Sequence, residues 1–84
     1  MNITFTDDSW NEYLYWQQSD KSILKKINKL IKDIQRNPFE GIGKPEALKY
    51  ELTGCWLRRI TNEHRLVYEA NEYNIVIISC RYHY

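Results

Sequence analysis

The sequence predicts an α+β fold: a short N-terminal strand, two helices, and then an antiparallel β-meander packed against the helices. Three observations carry that expectation. Ile23, Leu24, Ile27, Leu30, Ile31 and Ile34 recur at helical spacing and form one continuous apolar stripe. After residue 47, β-prone runs alternate with short turn-forming clusters, and short links between successive strands imply antiparallel pairing. The order of strand, two helices and meander leaves one sheet to be covered by one helical layer. With 84 residues, 43% hydrophobic and 14% aromatic, the chain suits a single globular domain spanning 1–84.

Residues 3–5 are apolar and β-prone, and they stop at Thr6-Asp7-Asp8-Ser9, a run of helix-capping side chains. In the helix that follows, Trp10, Tyr13, Leu14 and Gln17 share a face, flanked by Tyr15 and Trp16. So many rings imply that more than one side of this helix is covered, and Trp10 suits either the core or a contact between copies of the chain. Ser19-Asp20 opens the second helix, and Asn37-Pro38 stops it. Opposite its apolar stripe lie Lys21, Lys25, Lys26, Lys29, Lys32 and Arg36. That face reads either as a solvated surface or as a contact tracking an RNA backbone. Two Gly and a Pro in Phe39-Glu40-Gly41-Ile42-Gly43-Lys44-Pro45 specify a loop. Strand runs are expected at 48–52 with 56–61, at 65–70 and at 75–82. Thr53-Gly54, Asn62-Glu63-His64 and Asn71-Glu72-Tyr73-Asn74 separate them as turns.

Composition narrows the chemistry. The amino terminus lacks a basic segment followed by an apolar run, and no apolar stretch reaches membrane-spanning length. The cytoplasm is therefore the expected compartment, with no membrane partner. Cys55 and Cys80 are too few for a disulfide-stapled secreted domain and are expected to be packing residues. The two His and two Cys lack zinc-site spacing, no carboxylates cluster to hold magnesium, and Gly41-Ile42-Gly43-Lys44 falls short of a phosphate-cradling loop. Neither metal nor cofactor is expected, so catalysis must run on side chains. The net charge of +1 conceals an uneven layout: residues 1–20 hold four acids and no Lys or Arg, and the rest hold twelve bases against seven acids. That excess suits a modest attraction to RNA.

Side-chain catalysis at a phosphate needs a base, an acid and fixed cations. Glu46 follows Gly43-Lys44-Pro45, with Lys49 three residues on. Arg59 lies in the next strand run, Arg65 opens the one after, and the chain ends Arg81-Tyr82-His83-Tyr84. A three-residue turn at 62–64 would set Thr61 opposite Arg65 and put Arg59 and Arg65 on one sheet face; a two-residue turn would part them. If the last strand runs to the end, His83 shares a face with Arg81 and Ser79, and Tyr84 follows the other face. Taken singly, each residue has a plain structural reading. Glu46 is a surface charge, Arg59 or Arg65 a cross-strand ion-pair member, His83 a frayed end and His64 a solvated turn residue.

Together these blocks give the chain, along its whole length, a sequence that resembles the YoeB family of RelE-superfamily messenger RNA interferases. The resemblance rests on Ser9-Trp10 with Tyr13-Leu14-Tyr15-Trp16-Gln17, Lys25-Lys26-Ile27-Asn28, Pro38-Phe39-Glu40-Gly41, Gly43-Lys44-Pro45-Glu46, Trp56 with Arg58-Arg59-Ile60-Thr61, His64-Arg65-Leu66-Val67-Tyr68 and Cys80-Arg81-Tyr82-His83-Tyr84. It implies Glu46 as general base, His83 as general acid and Arg65 as the catalytic cation at the phosphate. Lys49, Arg59 and Tyr84 are implied as RNA contacts. Ala47 and Leu57 depart from the family pattern, where a second Pro and a small polar residue are common. The implied fold is an antiparallel sheet on two amino-terminal helices. The implied activity is that of a ribosome-dependent endoribonuclease toxin of a type II toxin-antitoxin system. Such a toxin cleaves messenger RNA in the A site of the 30S subunit by metal-independent acid-base catalysis and so inhibits translation. Implied partners are a YefM-like antitoxin and a second copy in a homodimer. Two other readings are a ParE-like topoisomerase poison, which shares the architecture, and a noncatalytic RNA- or protein-binding module.

Overall fold

The computed structural model describes residues 1–82 of the chain. Among those residues it contains β1 (Asn2–Phe5), α1 (Asp7–Ser19), α2 (Lys21–Arg36), β2 (Glu46–Ala47), a 3₁₀ turn at Tyr50–Leu52, β3 (Trp56–Arg59), β4 (Arg65–Ala70) and β5 (Asn74–Ser79). The capping cluster starts α1 as its chemistry requires. Thr6 is the N-cap, its hydroxyl accepting the Ser9 amide at 3.1 Å. The buried Ser9 hydroxyl in turn donates to the Ile77 carbonyl at 2.7 Å, tying α1 to β5. Asp20 serves both helices. Its amide donates to the Trp16 carbonyl to close α1, and its carboxylate accepts from the amides of Ser22 and Ile23 to open α2. A single-residue joint therefore folds the two helices against each other.

The sheet has the order β1-β5-β4-β3-β2. The α2 stripe covers one face: Ile27, Leu30 and Ile34 are fully buried against Leu66, Tyr68, Ile75 and Ile77. Each such side chain contributes about 1.5–3 kcal/mol when removed from water. A smaller cluster of Leu48, Cys55, Leu57 and Val67, with Leu52 and Ile78 against it, lies on the other face. Pairings β2 with β3, β3 with β4 and β4 with β5 are antiparallel, as the meander requires. The first strand adds a parallel edge to the antiparallel sheet that the resemblance implied. β1 runs parallel to β5, with Asn2 opposite Asn74 and Phe5 opposite Ile77, because the intervening chain forms a long crossover.

Two strand expectations are corrected. The run 48–52 is not a strand; the short strand is β2 at Glu46–Ala47, and the chain then turns through Tyr50–Leu52. Local bonds win there. The Thr53 hydroxyl and amide both donate to the Tyr50 carbonyl, and Tyr50 adopts a φ of 59° that no strand accommodates. Leu48 still buries its side chain and its amide donates to the Cys55 carbonyl, which is why its apolar character suggested a strand. The last strand ends at Ser79 rather than running to residue 82, and Tyr82 has a φ of 63°. Alternation therefore cannot assign faces beyond Ser79.

Arg58, wholly buried among the core residues, is the largest departure from apolar packing. It is tolerated because all five of its N–H donors are used. Nε donates to the Tyr68 hydroxyl; Nη1 donates to the Asp33 carboxylate and the Ile42 carbonyl; Nη2 donates to the carbonyls of Asn37 and Glu40. The Tyr68 hydroxyl donates in turn to the Pro38 carbonyl at 2.7 Å. One guanidinium thus joins β3, β4, the end of α2 and the loop ahead of β2. Hydrogen bonding from Arg58, followed by the Ile42 amide, holds the Asp33 carboxyl below its ordinary value.

Candidate active site

The loop that Arg58 pins delivers Glu46. Gly43 sits at a φ of 80°, where a Cβ would meet Leu30 Cδ2 at 2.8 Å, so only glycine passes close to the core here. Its carbonyl accepts the Arg59 amide at 2.7 Å, fixing the loop to β3 three residues before Glu46. Glu46 then pairs with Leu57, and Leu57 pairs with Val67 in β4. Opposed residues share a face. Leu57 and Val67 belong to the small cluster away from the helices, so Glu46 stands on that side, exposed.

Arg59 and Arg65 are direct cross-strand partners on this same face. Of the two alternatives the turn length left open, the shared face is the one observed, though the register is two residues from the one a three-residue turn would give. The connection spans residues 60–64, and a shift of two preserves the side on which every residue points. Glu46 and Arg65 lie two strands and two residues apart, roughly 12 Å between backbones at ordinary strand spacing. Two guanidinium groups directly opposed repel each other, an arrangement that an anion between them would relieve. Arg65 is oriented by the turn: its Nη1 donates to the carbonyls of Thr61 at 2.6 Å, Asn62 at 3.3 Å and His64 at 3.1 Å. Among the described residues nothing hydrogen-bonds its Nε or Nη2, leaving part of the fork to face a ligand. Lys49 and Glu46 line one open depression of about 320 Å³ with Ala47, Leu48 and Tyr50.

The tail approaches Arg65 under restraint. Cys80 donates its amide to Glu12 and accepts the Trp16 indole N–H at its carbonyl, at 2.8 and 2.9 Å. The Arg81 guanidinium carbon lies 3.7 Å from the Tyr15 ring centre. The Tyr82 carbonyl accepts the Arg65 amide at 3.1 Å. His83 and Tyr84, the expected general acid and one expected RNA contact, lie outside the described residues.

His64 is not the solvated turn residue the sequence suggested. It is 6% exposed, with Trp16 and Tyr82 against its ring, and its Nδ1 accepts the Tyr82 amide. No local signal along the chain marks this contact, because its partners are remote in sequence. Burial, followed by the nearby Glu12 carboxylate, pushes the Cys80 thiol up to about 12, and burial with Glu69 raises Cys55. Both thiols are free and buried, in keeping with packing rather than nucleophilic roles. Among the described residues no three His, Cys, Asp or Glu side chains gather closely enough to hold a metal ion, and no helix is long and apolar enough to cross a membrane.

Residues 5–84 match the family model described as a YoeB-like toxin of bacterial type II toxin-antitoxin systems. The chain belongs to this family. It is 58% identical to Toxin YoeB of Escherichia coli K12 over 84 residues, covering both chains completely. Its fold superimposes on the YoeB dimer structure from Staphylococcus aureus with a TM-score of 0.94 at 55% identity, covering 100% of this chain and 98% of that one. It matches the heterotetrameric YoeB-YefM toxin-antitoxin complex of Staphylococcus aureus with a TM-score of 0.93 at 55% identity and the same coverage. The α+β architecture is thus the YoeB fold, and the family match spans Glu46, Lys49, Arg59, Arg65, His83 and Tyr84.

Proposed function

We propose that this YoeB-like toxin, one domain over residues 1–84, is an endoribonuclease that cuts messenger RNA in the A site of the ribosome and so stops translation. The observation that carries the reading is the shared exposed face of Glu46, Arg59 and Arg65, with two guanidinium groups opposed and the restrained tail bonded to Arg65. Glu46 takes the proton from a ribose 2′-hydroxyl. The 2′-oxygen bonds to the adjacent phosphorus, Arg65 stabilises the charge on the phosphoryl oxygens, and the bond to the 5′-oxygen breaks as His83 protonates it. The products are a cyclic or 3′ phosphate and a 5′ hydroxyl. Lys49, Arg59 and Tyr84 hold the message. The reaction as written calls on no metal and no cofactor.

The exposed ridge of α2 supports a second contact with RNA. Lys21, Lys25, Lys29, Lys32 and Arg36 are all exposed there, and the one acid of the helix, Asp33, is engaged by Arg58. Five unneutralised cations along one helix suit a phosphate backbone of the 30S subunit. A YefM-like antitoxin and a homodimer complete the reading, in line with the YoeB-YefM complex and the YoeB dimer of Staphylococcus aureus; the antitoxin inhibits by binding, and the site of action is the cytoplasm.

The test is to incubate the protein with ribosomes translating a defined message and map the RNA ends. Cleavage at one A-site codon is expected, abolished by deoxyribose at the cleaved position. Cutting that persists at the deoxy position excludes 2′-hydroxyl attack. Intact RNA with defects in DNA supercoiling would instead mark a topoisomerase poison.

A further inference from the structure

We propose that His64 is a positioning residue that anchors the terminal tail for catalysis, acting through the Tyr82 backbone. The inference rests on the endoribonuclease reading above and goes beyond it, because His64 touches neither message nor phosphate in that scheme. Its ring is buried, packed edge-on against Trp16 with centroids 4.7 Å apart and against Tyr82 at 5.2 Å. Nδ1 accepts the Tyr82 amide at 2.6 Å, so that nitrogen carries no proton. The Glu63 carboxylate stands 3.7 Å from Nε2, beyond a direct hydrogen bond.

Packing alone would accept any ring here. The feature peculiar to histidine is an acceptor aimed at a backbone amide one residue before the proposed general acid. Tyr82 needs such a restraint, since its φ of 63° is one that residues other than glycine seldom adopt. Its backbone is held on both sides: the amide donates to His64, and the carbonyl accepts from the Arg65 amide. His64 is in turn locked into the turn that orients Arg65. Its amide donates to the Thr61 hydroxyl at 3.1 Å, and its carbonyl accepts from Arg65 Nη1. One residue therefore ties the phosphate-binding guanidinium and the tail to a common frame. Misplacing a catalytic group by about 1 Å suffices to lower a rate by about 10²-fold.

The variants are His64→Phe, which keeps a ring without the acceptor, and His64→Asn, which restores an acceptor near the Nδ1 position. In single-turnover cleavage on programmed ribosomes, His64→Phe should lower the maximal rate by about 10- to 100-fold. The half-saturating ribosome concentration should stay unchanged, and His64→Asn should recover most of the rate. Amide exchange read by NMR on the free protein should show Tyr82 exchanging faster in His64→Phe while β4 amides stay protected. A wild-type rate in His64→Phe, equal losses in both variants, or a change confined to half-saturation overturns the proposal, as does undiminished protection of Tyr82. Should the wild-type protein cut no RNA, the nuclease reading fails, and with it the catalytic purpose assigned to His64; the exchange experiment then shows separately whether the anchor exists.

Discussion

Among single residues, Arg58 and Asp33 offer a test of stability, and Glu46 and Arg65 a test of the proposed chemistry. Arg58→Leu strips the half-buried Asp33 carboxylate and four other acceptors of their donor, and urea unfolding should record a clearly lowered midpoint. Asp33→Asn tests the same pair through pH. Because Arg58 lowers the Asp33 pKa, the charged form binds better in the folded state. The stabilisation is complete above the ordinary aspartate value of 3.8 and disappears as pH falls through the lower folded value. The gap in unfolding free energy between wild type and Asp33→Asn should therefore be present at pH 6 and shrink steadily below 3.8; a gap unaffected by acid would dissociate it from this carboxylate. Neither Glu46 nor Arg65 supports the core. Glu46→Gln should lower single-turnover cleavage by about 10²- to 10⁴-fold, and Arg65→Ala should raise the barrier by about 3 kcal/mol. Glu46→Gln should leave the thermal midpoint nearly unchanged, whereas Arg65→Ala should lower it modestly, because the turn carbonyls of Thr61, Asn62 and His64 lose their donor. A fall in affinity at normal turnover would instead make Arg65 a binding residue.

At the scale of elements, legibility followed the length over which burial repeats. The α2 stripe was readable because four turns of helix bury the same side, whereas the faces of Arg59 and Arg65 depended on a turn length the sequence left open, with strand parity surviving a difference of two in register. β2 was not readable, since two residues contain no period. Arg58 and His64 were misleading for another reason: a charge or an imidazole is expected outside until its partners are known. Those of Arg58 come from α2 and the following loop, and that of His64 from the tail. The same scale offers a test of the basic ridge. Replacing Lys25, Lys29 and Lys32 with Glu should weaken ribosome binding and flatten its dependence on salt, since fewer counterions are released. An identical salt slope in the triple variant would leave the ridge a solvated surface.

Viewed as a whole molecule, the chain has three surfaces of different character: the sheet face bearing Glu46, Arg59 and Arg65, the basic ridge of α2, and an apolar edge at β1. The last bears on assembly. Met1, Ile3 and Trp10 are exposed there, and the Trp10 ring stacks on Tyr13 with centroids 5.7 Å apart. Of the two roles the sequence left open for Trp10, burial in the core is thus not the one observed: the residue is 45% exposed. Exposed indole area backed by a rigid ring is what a contact between copies requires. A homodimer formed through this edge links folding to association, so the thermal midpoint should rise with protein concentration. Trp10→Ala should move the sedimentation equilibrium toward monomer and abolish that concentration dependence, while the proposed cleavage residues Glu46 and Arg65 keep their places on a different face. A dimer as tight in Trp10→Ala as in wild type would locate the contact elsewhere, because removing a central anchoring ring typically costs an interface 2 kcal/mol or more, roughly a thirtyfold loss of affinity.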